Sequence, residues 1–347
     1  FYFKQLLCYH CNYNYHNIIE IQGMVKKSFL LILLSVYFIC LSQKNDKNNI
    51  AKIDTTEIVP IGGIKQFISI KGNNKEKPIL LFLHGGPGTS LVAVSEKFTD
   101  KLKDEFVVIN WDQRETGETL KLNSTQKDLT PELLKSDAYE VVNYLLKRFK
   151  REKLFLASHS WGSVLGFDIA KNHPELLYAY IPISAIIDIN KSSELTVDML
   201  KKWAVKTNNA TATEELNLIN IPFTRPDDLF YSQKWLFIHN GVDFAKKEDF
   251  KPTYYKWLGI WFPMWKKSVE GSLFDTLPEI NTPVYFIEGN GDKQKSHYLV
   301  EDYYKFVKAP KKGMFWMKKS GHTIFNTEPD KLQKVMIEKV KPEVFAR

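Results

Sequence analysis

From residue 53 onward the chain alternates short apolar runs with longer amphipathic stretches. Ile53–Pro60 and Ile64–Lys71 read as two strands around Gly62-Gly63, a hairpin signal. Pro78–Leu83 and Phe106–Trp111 are nearly unbroken apolar runs, as expected of strands covered on both faces. Pro131–Lys150 carries Leu133, Leu134, Ala138, Val141, Val142, Leu145 and Leu146 near helical spacing, so it is predicted to be an amphipathic helix. Leu154–Ala157 predicts another buried strand and Ser163–His173 the helix after it. Leu177–Ile183 and Pro283–Glu288 follow as strands, Tyr298–Val307 as a helix, Met314–Met317 as the last strand and Glu328–Val340 as the closing helix. Strands alternating with helices imply an α/β chain with a mostly parallel sheet and helices on both faces.

Between Ile187 and Asp275 that alternation stops. The stretch is helix-like and aromatic, with Trp203, Phe223, Phe230, Tyr231, Trp235, Phe237, Tyr254, Tyr255, Trp257, Trp261, Phe262 and Trp265. An insertion after the sixth strand would sit over the carboxyl ends of the strands, where such sheets bind ligands. Residues 187–275 are therefore expected to form a helical lid, with most of these aromatics filling the lid's own core. Residues 44–186 and 276–347 would be the two parts of the core domain.

The first 43 residues read differently. Residues 1–23 have no pattern and are expected to be upstream readthrough. Met24 opens a segment in which Lys26 and Lys27 precede the apolar run Phe29–Leu41, broken by Ser35. A basic start and a run short of the ~20 residues of a spanning helix describe a secretory signal over 24–43. Cleavage after Ser42 would use Cys40 and Ser42 as the small −3 and −1 residues; a lipidated Cys40 and an uncleaved anchor are the alternatives. Export to the periplasm or medium is expected, with membrane attachment confined to this segment. All three cysteines, Cys8, Cys11 and Cys40, lie here, so the remainder offers neither a disulfide nor a thiol nucleophile. The net charge of +8 leaves +6 on the body, where lysines alternate with acids. That describes a solvated surface, not a nucleic-acid patch.

Candidate chemistry centres on Lys153-Leu-Phe-Leu-Ala-Ser-His-Ser-Trp-Gly-Ser163. An apolar strand running through small-x-Ser-x-small into a helix is the nucleophile elbow of α/β-hydrolases. The turn brings positions −2 and +2 against the central residue, so both must be small. Ser160 has Ser158 and Gly162 there. Ser158 would have Leu156 at −2 and Ser163 would have Trp161, so neither serves.

Three further stretches carry a family resemblance: His84-Gly-Gly-Pro-Gly88, Trp111-Asp-Gln-Arg-Glu-Thr-Gly117 and Gly321-His322-Thr-Ile-Phe-Asn-Thr-Glu-Pro329. With the elbow, they resemble the proline iminopeptidase group of α/β-hydrolases, from about Ile53 to the C-terminus and weakly across the lid. The resemblance implies an α/β-hydrolase fold and an aminopeptidase releasing an N-terminal residue from short peptides. A carboxylesterase or lactonase is the enzymatic alternative, and a non-catalytic ligand receptor the alternative of another class. No metal or organic cofactor is implied, and the sequence does not address oligomeric state.

An acyl-transfer nucleophile needs a base, and the base an orienting acid. His322 lies in a loop after the last strand, behind Gly321, and the resemblance also points to it. Asp292, in Gly289-Asn290-Gly291-Asp292 after the seventh strand, is the expected acid, with Glu288 as its rival. Chain order Ser160, Asp292, His322 suits this fold. The oxyanion donors are expected to be the N–H groups of Trp161 and Gly86, in a substrate-binding loop completed by His84, Gly85, Pro87 and Gly88. His84 more simply holds that loop. The chain departs from the family where Glu115 replaces the usual glycine after Asp-Gln-Arg and Ser158 replaces a glycine at −2. Prolyl-specific members carry Trp-x-x-Trp-Glu in the lid; here Phe262 or Lys266 follows the tryptophans. An exopeptidase still needs a carboxylate for the substrate's ammonium group, with Glu194, Glu214, Glu215, Asp227, Asp228, Glu270 and Glu115 as candidates.

Overall fold

Residues 51–125, 128–294 and 297–345 are described by the structure, a computed structural model. The expectations for residues 1–43 lie outside them. Two nine-residue strands come first, β1 (Ile53–Ile61) and β2 (Ile64–Gly72). They pair antiparallel around Gly62 and Gly63, both at positive φ, which glycine adopts without steric cost. β3 (Ile79–Leu83), β4 (Val107–Asp112), β5 (Leu154–His159), β6 (Leu177–Ile183), β7 (Val284–Gly289) and β8 (Lys312–Met317) complete one eight-stranded sheet in the order β1-β2-β4-β3-β5-β6-β7-β8. β2 runs antiparallel to β4, and every pairing from β4 to β8 is parallel.

The unbroken apolar runs have a direct cause. In β3, Ile79, Leu81 and Leu83 enter one core cluster, while Leu80 and Phe82 enter the other. Successive side chains of a strand point to opposite faces, so a strand covered on both sides must be apolar throughout. On one face α1 (Pro131–Phe149) contributes Leu134, Ala138, Val141, Val142 and Leu145. Its start is fixed by Thr130, whose side chain accepts from Leu133 N–H, and by Pro131 in the first turn. The opposite face is covered by the C-terminal helix through Leu332, Met336 and Val340. That helix begins at Pro329 and passes through a π-helical stretch, Met336–Val340, to Phe345, beyond the expected end. Four short helices, Glu96–Thr99, Leu102–Glu105, Gly117–Leu122 and Ile324–Thr327, were not expected; four to six residues carry too little periodicity to read.

After α2 (Gly162–Asn172) and β6, four longer helices precede β7, α3 (Ile189–Lys206), α4 (Ala210–Asn217), α5 (Pro226–His239) and α6 (Phe250–Ser268), with the short Leu273–Thr276 after them. The two ends of this insertion are stitched together. Leu273 N–H donates to Ile187 O at 3.0 Å, and Asp188 bridges Ser272. Many of its aromatics pack on one another, Phe230 against Tyr231, Phe250, Tyr254 and Tyr255, and Trp203 against Trp235. The remaining long helix between β7 and β8 is α7 (His297–Phe306).

Candidate active site

β5 ends at His159 and α2 starts at Gly162, so one tight turn holds Ser160. Ser160 has φ +52, a left-handed conformation that costs a non-glycine residue on the order of 1–3 kcal/mol. Its surroundings impose that conformation. Ser160 N–H donates to Ile183 O at 3.0 Å, and Ser163 N–H to Ser160 O at 2.9 Å. A Cβ on Gly162 would lie 2.5 Å from Leu83 O, so the +2 position admits only glycine without moving β3. At −2, Ser158 is fully buried with its Oγ 2.7 Å from the Tyr180 hydroxyl. Tyr180 in turn donates to Ser163 O at 3.3 Å, and its burial pushes its own ionisation well up. The serine at −2 therefore has a buried phenol to meet, supplied from β6; nothing near it in sequence announces that partner.

His322 Nε2 stands 2.9 Å from Ser160 Oγ, and His322 Nδ1 stands 2.8 Å from Asp292 Oδ2. Asp292 is fully buried, and its other oxygen accepts from Gln294 N–H at 2.9 Å. Backbone bonds lock the two loops together. Asn290 N–H reaches Met317 O and Gly291 N–H reaches Ser320 O, both at 2.9 Å. The loops pass so closely that a Cβ on Gly289 would lie 2.1 Å from Gly321 O. His159 faces His322 at 5.0 Å between ring centroids, and its Nε2 lies 3.0 Å from His322 O, which it meets as a donor. Glu288 is also fully buried, and burial first, then the neighbouring Asp292, drives its carboxyl well above the usual range. The bond to His322 Nδ1 belongs to Asp292, not to Glu288. His173 stacks on Tyr139 at 4.0 Å, His239 lies 3.0 Å from Asn240, and His297 Nδ1 lies 3.2 Å from Asp292 O.

The glycine loop runs close to Ser160 at Gly85, where a Cβ would fall 2.9 Å from Ser160 Cβ. Gly86 and Gly88 have φ +111 and +83, which glycine alone adopts easily. Trp161 is the N-cap of α2, a position whose backbone N–H has no partner within the helix ladder. His84 is wired into the scaffold. Its Nε2 accepts from Gln113 N–H at 3.1 Å, its Nδ1 faces Gly85 O at 3.0 Å, and Gln113 Nε2 donates to His84 O at 3.0 Å. Burial holds its pKa down at about 4, so the ring is neutral. Pro87 and Gly88 instead meet α6. Trp257 Nε1 donates to Pro87 O at 2.8 Å, and the Trp261 indole fills the space a Gly88 side chain would need.

The Asp-Gln-Arg stretch is structural throughout. Arg114 is buried in an ion pair with Asp137 of α1 and donates to Gly62 O. Gln66 Nε2 donates to Asp137 Oδ2 at 2.9 Å and its Oε1 accepts from Trp111 Nε1 at 2.7 Å. Asp112 accepts from Glu118 N–H at 2.9 Å. Gln66, Asp137 and Tyr180 escaped sequence reading because each looks like an ordinary polar residue until the fold gives it a partner. Glu115 has φ +53, which explains why a glycine suits that position.

Of the candidate amine partners, Glu215 is engaged by Lys234 and Trp235 Nε1, and Asp228 by the backbone N–H groups of Asn220, Thr224 and Arg225. Asp227 accepts from the Tyr255 hydroxyl and Glu194 pairs with Lys191. Glu214 and Glu270 are exposed, while Glu115 is buried.

A family described as serine aminopeptidase, S33, matches residues 74–225. The probable aminopeptidase YbaC of Bacillus subtilis is 26% identical over 288 residues, 78% of this chain and 91% of that protein. The proline iminopeptidase of Lactobacillus acidophilus is 28% identical over 193 residues, 54% of this chain and 62% of its own. Among solved structures, the proline iminopeptidase of Mycobacterium smegmatis superposes with a TM-score of 0.58 at 20% identity, over 84% of this chain and 99% of that one. An epoxide hydrolase of Bacillus megaterium reaches 0.54 at 18% identity, over 82% of this chain and all of its own, so the architecture does not by itself choose a reaction. The sheet gives this chain the α/β-hydrolase fold, and its motifs and relatives resemble the proline iminopeptidase group. It is a hydrolase.

Proposed function

We propose that the chain is a serine hydrolase working through an acyl-enzyme on Ser160. The observation that carries this is the chain of contacts from Ser160 Oγ through His322 to Asp292, at 2.9 and 2.8 Å. In this reading Ser160 Oγ attacks the substrate carbonyl while His322 Nε2 takes its proton. Asp292, accepting from Nδ1–H, fixes the tautomer and stabilises the imidazolium. The oxyanion meets the N–H groups of Trp161 and Gly86. His322 then returns the proton to the leaving group, and water, deprotonated by the same ring, releases the acyl group. Epoxide opening on this fold would call for a carboxylate where Ser160 stands.

For substrate, we propose short peptides with a free N-terminus, a reading supported by the names of the relatives and by the motifs. The helical insertion serves as the lid, because Trp257 and Trp261 reach the glycine loop and Trp161 Nε1 donates to Ser268 at the end of α6. One observation favours the esterase alternative. Four insertion carboxylates, Glu194, Glu215, Asp227 and Asp228, already hold partners. Burying an ammonium ion unpaired is prohibitive. The test is a panel of aminoacyl amides and short-chain p-nitrophenyl esters offered to residues 44–347. Turnover of aminoacyl amides supports the peptidase reading, and activity confined to esters overturns it. We also propose export, on Lys26-Lys27 and the apolar run Phe29–Leu41; native protein retaining Met24 would count against cleavage.

A further inference from the structure

Glu288 closes β7 with a fully buried carboxyl, and among the described residues neither of its oxygens meets a hydrogen-bond donor. It lies within hydrogen-bonding reach of the Asp292 carboxyl. Two carboxyls in contact, both out of water, cannot both be charged, and the proton goes to the one with the weaker donors. Asp292 has donors from His322 and from Gln294 N–H. Glu288 is approached only by the N–H of the adjacent Gly289, short of a full hydrogen bond, so it holds the proton, and the acceptor within its reach is Asp292.

We propose that Glu288 is a positioning residue: its protonated carboxyl donates to Asp292 and holds that carboxylate in line with His322. The inference rests on the Ser160–His322–Asp292 reading and extends it by one residue. Burial, with Asp292 beside it, favours the neutral acid. On its own loop stands Asp292, and beyond that His322. Its β8 partner is Trp316, and just past the end of β6 Ser184 donates its N–H to Ile287 O at 3.0 Å. From α7, His297 meets the Asp292 backbone carbonyl, not a carboxylate.

The experiment compares full-length wild type, Glu288→Met and Glu288→Gln with p-nitrophenyl acetate across pH, together with labelling of Ser160 by diisopropyl fluorophosphate. Losing one hydrogen bond to a charged group should lower kcat of Glu288→Met about tenfold with KM unchanged. Asp292, left with one donor fewer, becomes a stronger acceptor and favours the imidazolium, so the acid limb of kcat/KM moves up. Glu288→Gln donates through its amide and returns both rate and limb toward wild type. If Glu288 were ionised in the wild type, Glu288→Gln would remove a negative charge near His322 and move the limb down, which overturns the proposal; so do identical rates and limbs in all three proteins. Infrared difference spectra of wild type minus Glu288→Gln at neutral pH should show a protonated-carboxyl carbonyl band, and its absence overturns the proposal even where Glu288→Met does not fold. Wild type that fails to label at Ser160 sinks the catalytic reading instead, and the infrared band then decides the Glu288 proton alone.

Discussion

The loops at the carboxyl ends of the strands and the helices between β6 and β7 are built on different principles. The loops are short and pinned by backbone bonds and buried polar pairs. Examples are Gln113 on His84, Arg114 on Asp137, and Gly291 N–H on Ser320 O. The insertion is long, packs its aromatics on one another and into the core cluster on one face of the sheet, and reaches the glycine loop and Trp161 through indole rings and Ser268. Rigid positioning suits groups that must meet within hydrogen-bond distance of a reacting atom, whereas a surface of rings can change shape at modest cost. Substitutions in the loops should therefore remove chemistry or the fold, and substitutions in the insertion should alter which substrate enters.

The largest expected effect breaks the chemistry alone. Ser160→Ala should lower kcat roughly 10⁴- to 10⁶-fold while leaving thermal unfolding close to wild type. Near-wild-type turnover would show that Ser160 is not the nucleophile. Next comes the scaffold. Asp137→Ala strands the Arg114 guanidinium in the core, which typically costs about 3–5 kcal/mol, read as a lower urea midpoint. A midpoint unchanged from wild type would mean that Arg114 finds another partner.

Much of this difference could be read from the chain. The sheet strands fall within about two residues of their expected limits, because strands buried on both faces must be apolar throughout. The turn around Ser160 was readable because only small residues fit at −2 and +2, and sequence distance is no obstacle to that kind of constraint. Asp292 and His322, expected from their places after β7 and β8 and from the family resemblance, lie in contact with one another. What stayed hidden depends on contacts between distant segments. Asp137 looks like one more polar residue on an amphipathic helix until Arg114 arrives from β4. Ser158 looks like a departure until Tyr180 arrives from β6. Glu288 looked like a rival to Asp292 and stands as its neighbour instead. In the insertion, aromatic content signalled helices that pack, but not which indoles would leave that packing to meet Pro87 and Gly88.

His84 offers a test of the loop side through pH. Its unfolded pKa is about 6.5 and its folded value about 4, lowered by burial. Between those values the unfolded chain binds a proton that the native ring refuses. Stability is therefore lost as pH falls through the window, by about 3 kcal/mol in all from this one group. Above the window His84 contributes no pH dependence. His84→Gln can still accept from Gln113 N–H but does not titrate, so its urea midpoint should fall less steeply from pH 6.5 to 4. Equal slopes for wild type and variant would mean that His84 is protonated in the folded protein.

The smallest effect is expected on the insertion side, at Trp257. Trp257→Phe keeps a ring against Pro87 and removes only the indole N–H that donates to its carbonyl at 2.8 Å. A neutral hydrogen bond contributes about 0.5–1.5 kcal/mol, so the affected parameter should change only severalfold. Which parameter moves is what matters. If the insertion governs entry, the change falls in KM for the larger substrates of the panel, and labelling of Ser160 by diisopropyl fluorophosphate slows by less, because that reagent is small. A fall in kcat shared by all substrates, with labelling slowed equally, would show that α6 acts on the glycine loop and thus on the oxyanion donors. The loops and the insertion would then be one catalytic unit, and the division drawn between them would fail.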